Sequence, residues 1–216
     1  MADTTTDTDT ETTTAAPNRR RFLLGGGVLA AGALLAACGD DEPEGTANTG
    51  EGGGGGGDLA VAALAASLEV LAVSTYGAAL DAATSGALGE VPPAVAEFVT
   101  VAMAQHQEHL NAWNGVLTGA GQAAVSAPPA DLAETVNTMF AAVTDVAGAA
   151  NLALTLEGIA SATYLGAIPT LEDPAAIRLA GSILCIDRQH EAVLLFALGQ
   201  YPVPDVFANT EAAYAG

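Results

Sequence analysis

Two long apolar stretches each carry an acid at their centre. Glu69 lies within Leu59–Thr84 and Glu157 within 147–168, and each is followed seven residues later by a tyrosine, Tyr76 and Tyr164. Seven residues is two turns of an α-helix, so each acid shares a face with its tyrosine. An acid buried in an apolar helix without a partner costs several kcal/mol, roughly, or is forced neutral. Whatever this chain folds into must bring partners to both acids.

The partners at hand are few. The chain has three histidines, and all fall in two short patterns, His106-Gln107-Glu108-His109 and Asp187-Arg188-Gln189-His190. Residues three apart on a helix project from one face, one turn apart. Each pattern therefore presents two ligand-type groups to a single point in space. In chain order the reactive residues read Glu69, then His106 and His109, then Glu157, then Asp187 and His190. The second half repeats the first.

Half of the residues are hydrophobic but only 5% are aromatic, so the core is built from Ala, Leu and Val. Ala and Leu favour helices, and strand-like alternation is not sustained anywhere, which predicts an all-α fold. Four core helices follow from the punctuation. The first is Leu59–Thr84, ended by Ser85-Gly86. The second runs from Pro92-Pro93 to about Leu117. A short leading helix starts at Asp131 as N-cap, and Gly148 divides it from the third core helix, Ala147–Ile168. The fourth is capped by Asp173, has Pro174 at its first position and reaches about Gly199. Four such helices imply a four-helix bundle with a pseudo-twofold repeat of helix pairs. Glu108 lies on another face than His106, Trp113 reads as core packing and Cys185 as a small core residue. Arg188 is expected to pair with exposed acids, and Glu191, turned away from His190, is expected at the surface or beside the ligands.

This arrangement resembles the ferritin-like superfamily of di-iron carboxylate proteins, particularly exported ferritin-like domains with bacterioferritin-like metal sites. The likeness runs from about Asp58 to Gly199. It implies Glu69 and Glu157 as terminal carboxylate ligands, His109 and His190 as terminal imidazoles, and Tyr76 and Tyr164 as tyrosines hydrogen-bonded to the ligands. His106 and Asp187 stand at the two bridging positions, where such proteins carry Glu. The expected metal set is thus Glu69, His106, His109, Glu157, Asp187 and His190, with one or two ions. Iron is the first candidate, and the extra imidazole also suits Zn or another transition metal. Three carboxylates would balance only three of the four charges of two divalent ions.

The N-terminal 57 residues read as an address. Arg19-Arg20-Arg21-Phe22-Leu23 precedes a short apolar run, Leu24–Ala37, and Leu35-Ala36-Ala37-Cys38 follows the lipobox pattern. Residues 1–37 resemble a twin-arginine lipoprotein signal, Cys38 a lipidated N-terminus, and 38–57 an acidic, Gly-rich tether to a domain over 58–216. Removing the signal takes away four of 25 acids and three of five basic residues, leaving Arg178 and Arg188. A net charge of −20 with no lysine disfavours nucleic acid as a partner. The expected partners are metal ions, the membrane through lipidated Cys38, and a second copy of the chain through helices apolar on most sides. The expected function is an exported, membrane-anchored metalloprotein with redox or oxygen chemistry such as ferrous oxidation. The alternative expectation is a metal-free bundle serving as a surface structural or interaction module.

Overall fold

The computed structural model describes Met1 and residues 55–216; the expected signal, Cys38 and most of the tether lie outside the described residues. Five α-helices and one short 3-10 turn make up the fold, with no strand among the described residues: α1 (Gly55–Thr84), α2 (Pro93–Gly119), α3 (Ala130–Ala141), α4 (Val146–Ala167), the turn Ile168–Thr170, and α5 (Pro174–Ala197). The all-α expectation holds, and the four long helices are α1, α2, α4 and α5. The first begins earlier than expected, so the last three tether glycines are helical.

Helix ends follow local chemistry. Gly86 takes a φ of 79°, open to glycine at no steric cost, just after α1 stops. The Asp173 side chain accepts from the Ala175 N–H at 2.9 Å and Pro174 opens α5, as expected. The break before α4 differs from expectation. It falls at Ala142–Asp145, and Asp145 caps α4 by accepting from Gly148 N–H at 2.7 Å. Gly148 thus sits in the first turn of α4 rather than between helices. Asp131 is not the N-cap of α3; Pro129 holds that place, and the Asp131 carboxylate accepts from the Tyr214 hydroxyl of the C-terminal tail at 2.6 Å.

α1 packs chiefly on α2, and α4 on α5, giving two helix pairs placed against each other. Their shared core is made of Ala62, Ala65 and Ala66 from α1, Trp113 and Leu117 from α2, Tyr164 from α4, and Ala176, Ala180 and Ile183 from α5. Trp113, wholly buried, is the largest side chain in this core of mostly small residues. α3 closes one side through Val136, which packs with Leu71, Leu152 and Leu156. At one end Asp58 accepts from the N–H groups of Glu172 (3.0 Å) and Asp173 (2.7 Å), tying the start of α1 to the turn before α5. α1 and α4 are long and apolar enough to cross a membrane by length and composition. Each, however, carries a buried carboxylate at mid-length and packs into the bundle. Cys185 is not a core residue: its position on α5 faces outward and is exposed.

Candidate metal centre

The bundle geometry brings one face from each long helix to the same level. Glu69 comes from α1, His106 and His109 from α2, Glu157 from α4, and Asp187 and His190 from α5. Glu69, His106, Glu157 and Asp187 are each no more than 2% exposed, and His190 is also buried. His109 is half-buried at the edge. Two overlapping groups lie close enough to hold an ion: His106, Glu157, Asp187 and His190, and Glu69, His106 and His109.

His106 joins the two. Its Nδ1 lies 2.7 Å from Glu69 Oε2 and its Nε2 3.1 Å from Glu157 Oε1. Carboxylate oxygens only accept, so both ring nitrogens carry protons and donate, which makes the ring an imidazolium. Burial opposes its charge, yet Glu157 and Glu69 outweigh that and raise its pKa well above the imidazole range. The ring is held between neighbours: it stacks on Tyr76 at 5.5 Å and lies 5.3 Å from the His190 ring.

The tyrosines cross over. The Tyr76 hydroxyl donates to Glu157 Oε1 at 2.5 Å, and the Tyr164 hydroxyl donates to Glu69 Oε1 at 2.6 Å. Each tyrosine therefore serves the acid of the other half rather than the acid on its own helix. Burial and the adjacent carboxylates push both phenols far up, so they remain protonated donors. Trp113 adds a link, its indole N–H donating to the Tyr164 oxygen at 2.8 Å.

The acids divide into two kinds. Burial pushes Glu69 and Glu157 up, but His106, with His109 beside Glu69 and His190 beside Glu157, outweighs burial. Both carboxyls are held below their ordinary range, Glu157 at about 2. For Asp187 the attraction of His106 is outweighed. Burial, then the charges of Glu69 and Glu157, raise it well above the carboxylate range. Both of its oxygens are buried without a hydrogen-bond partner, as are Glu157 Oε2, His190 Nδ1 and His109 Nδ1. Orphaned buried groups of this kind are rare and call for an explanation. A cation explains them, because carboxylate oxygens and a bare imidazole nitrogen are what a borderline metal takes. The donor set fits a transition-metal ion.

Some contributors escape sequence reasoning. Gln105, adjacent to His106 in sequence, turns to α5 and its Oε1 sits 2.7 Å from His190 Nε2. That contact orients the ring so that His190 Nδ1 lies 3.2 Å from Glu157 Oε1. Ser161, buried on α4, donates to Glu191, which also accepts from Arg188 at 2.7 Å. Arg188 thus pairs with a part-buried acid beside the site. Glu108 is exposed, as its face required, and Trp113 is core, as read.

Residues 57–200 match the ferritin-like domain family. The chain belongs to that family. A crystal structure of a conserved hypothetical protein from Mycobacterium tuberculosis has a similar fold, with a TM-score of 0.56 and 22% identity over 71% of this chain and 98% of that one. No curated protein matches the chain. The ferritin-like bundle is thus secure on sequence and fold, while metal and reaction rest on the residues of this chain.

Proposed function

We propose that this protein is an exported, lipid-anchored metalloprotein whose bundle core binds a transition-metal ion, iron first, for redox or oxygen chemistry. The observation that carries the proposal is the convergence of unpartnered donor atoms from Glu157, Asp187 and His190 in a buried core. Bound there, iron would supply a one-electron couple, with ferrous iron as donor and dioxygen or peroxide as acceptor.

The chain's own residues do the rest. Tyr76 and His106 fix one Glu157 oxygen, leaving the other turned free. Gln105 orients His190. Asp187, neutral without a cation, is the proton source that yields to one. Beside Tyr76 lies an almost wholly apolar cavity, lined by Leu88, Phe98, Phe140 and Leu156 among others, which suits a small uncharged reactant. Anchoring at Cys38 and export through the twin-arginine run rest on the sequence alone.

Metal content after anaerobic Fe(II) addition and desalting tests the core of this reading. Retention of less than about a tenth of an equivalent of any transition metal would sink it. Cys38→Ser tests the anchor, with loss of the protein from the membrane fraction as the expected result. The alternative, a metal-free interaction module, draws on one observation: Glu69 and Glu157 already share His106 as partner. It requires that added metal leave the melting temperature unchanged in the parent and in Glu69→Gln and Glu157→Gln alike.

A further inference from the structure

We propose that the core takes a single metal ion, held by Glu157, Asp187 and His190, and that His106 fills the place of a second. The inference rests on the metal-binding reading above and adds a stoichiometry and a location to it.

The unpartnered atoms are distributed unevenly. The α4 and α5 side offers four: Glu157 Oε2, both Asp187 oxygens and His190 Nδ1. The α1 and α2 side offers His109 Nδ1 alone. Glu69, the acid of that side, has both oxygens committed, Oε1 to the Tyr164 hydroxyl at 2.6 Å and Oε2 to His106 Nδ1 at 2.7 Å. His109 Nδ1 stands 3.6 Å from that same committed oxygen. One imidazole nitrogen is not a metal site, whereas two carboxylates and an imidazole from neighbouring helices are.

His106 closes the other half. Both of its nitrogens face carboxylate oxygens, and stacking on Tyr76 with His190 behind it holds the ring in that orientation. To ligate, it would have to surrender its hydrogen bond to Glu157 Oε1 or the one to Glu69 Oε2, and the latter would leave that buried oxygen without a hydrogen bond. A protein side chain thus stands where a second cation would.

Anaerobic titration of the full chain with Fe(II), read by native mass spectrometry and elemental analysis, tests this. The expected result is one ion per chain in the parent and none in Asp187→Ala or His190→Ala. Two ions in the parent overturn this inference and leave metal binding standing; none in the parent overturns metal binding itself. His106→Glu is expected to take two ions. Should that variant not fold, Glu69→Gln decides: one ion bound within about threefold of the parent affinity supports the inference, and a loss of about tenfold or more overturns it.

Discussion

Asp187→Leu should move stability in opposite directions with and without metal. In the metal-free protein Asp187 is wholly buried, its carboxyl is held neutral by burial and by Glu69 and Glu157, and neither oxygen has a partner. A buried polar group left unsatisfied costs about 1–3 kcal/mol. Leucine keeps the branching at Cγ and removes the polar atoms, but its methyls are larger than oxygens, so part of the gain is lost to crowding. A net stabilisation of about 1–2 kcal/mol is expected, which for a domain of this size is a rise of about 2–8 °C in melting temperature. With metal at a hundredfold excess over its Kd, the parent gains about 2.7 kcal/mol and the variant gains nothing. The order then reverses, and the parent is the more stable by about 1 kcal/mol. Urea denaturation followed by far-UV circular dichroism, in chelator and in excess metal, reads both arms. Destabilisation of the metal-free variant by more than about 1 kcal/mol would refute the reasoning, because Asp187 would then be a satisfied structural acid.

Tyr164→Phe strands both Glu69 Oε1 and the Trp113 indole N–H, whereas Tyr76→Phe leaves Glu157 Oε1 beside His106 and His190. Denaturation midpoints should therefore place the first loss near 2–4 kcal/mol and the second near about 1. Gln105→Leu removes the acceptor for His190 Nε2–H and should weaken metal affinity about 10–100-fold in a competition assay, with Gln105→Glu restoring it. Metal uptake should release the Asp187 proton, so apparent affinity rises with pH, by about tenfold per unit at most, until that group ionises unaided; calorimetry in two buffers of different ionisation enthalpy measures it. Metal-free stability should show opposed slopes with pH. The contribution of Glu157, present above 4.5, is lost as pH falls toward about 2, and that of His106, present below 6.5, is lost as pH rises through its raised pKa. Asp187, an acid with a raised pKa, subtracts stability as pH rises past 3.8, and urea midpoints of Asp187→Leu should lack that decline.

Periodicity and punctuation carry most of the fold. Pro93, Asp173, Pro174 and Gly86 act on their own backbone, and their effects appear where their chemistry puts them. Spacing likewise places His106 with His109 and Asp187 with His190, because a helix keeps i and i+3 on one face wherever it packs. Contacts between helices are another matter. Nothing in the seven-residue step from Glu69 to Tyr76 tells which acid the tyrosine reaches, and the answer is Glu157, 81 residues away. Gln105 lies about 100° from His106 on its helix, and that offset carries it across to His190. Asp131 has good capping chemistry, but Pro129 already begins the helix and the tail residue Tyr214 claims the carboxylate. Cys185 is apolar enough for a core, and only its angular position on α5 turns it outward. Local rules travel with the residue; pairings across the bundle depend on the rotation of each helix.

The central claim, a metal held by Glu157, Asp187 and His190 inside a ferritin-like bundle, is tested most directly by anomalous diffraction. Crystals of the protein loaded with Fe(II) under anaerobic conditions would be measured on either side of the iron edge. One peak is expected in the bundle core, bonded to Glu157 Oε2, an Asp187 oxygen and His190 Nδ1, with the His106 ring still between Glu69 and Glu157. A loaded crystal with no anomalous density in the core, or with iron only at surface acids, would contradict it.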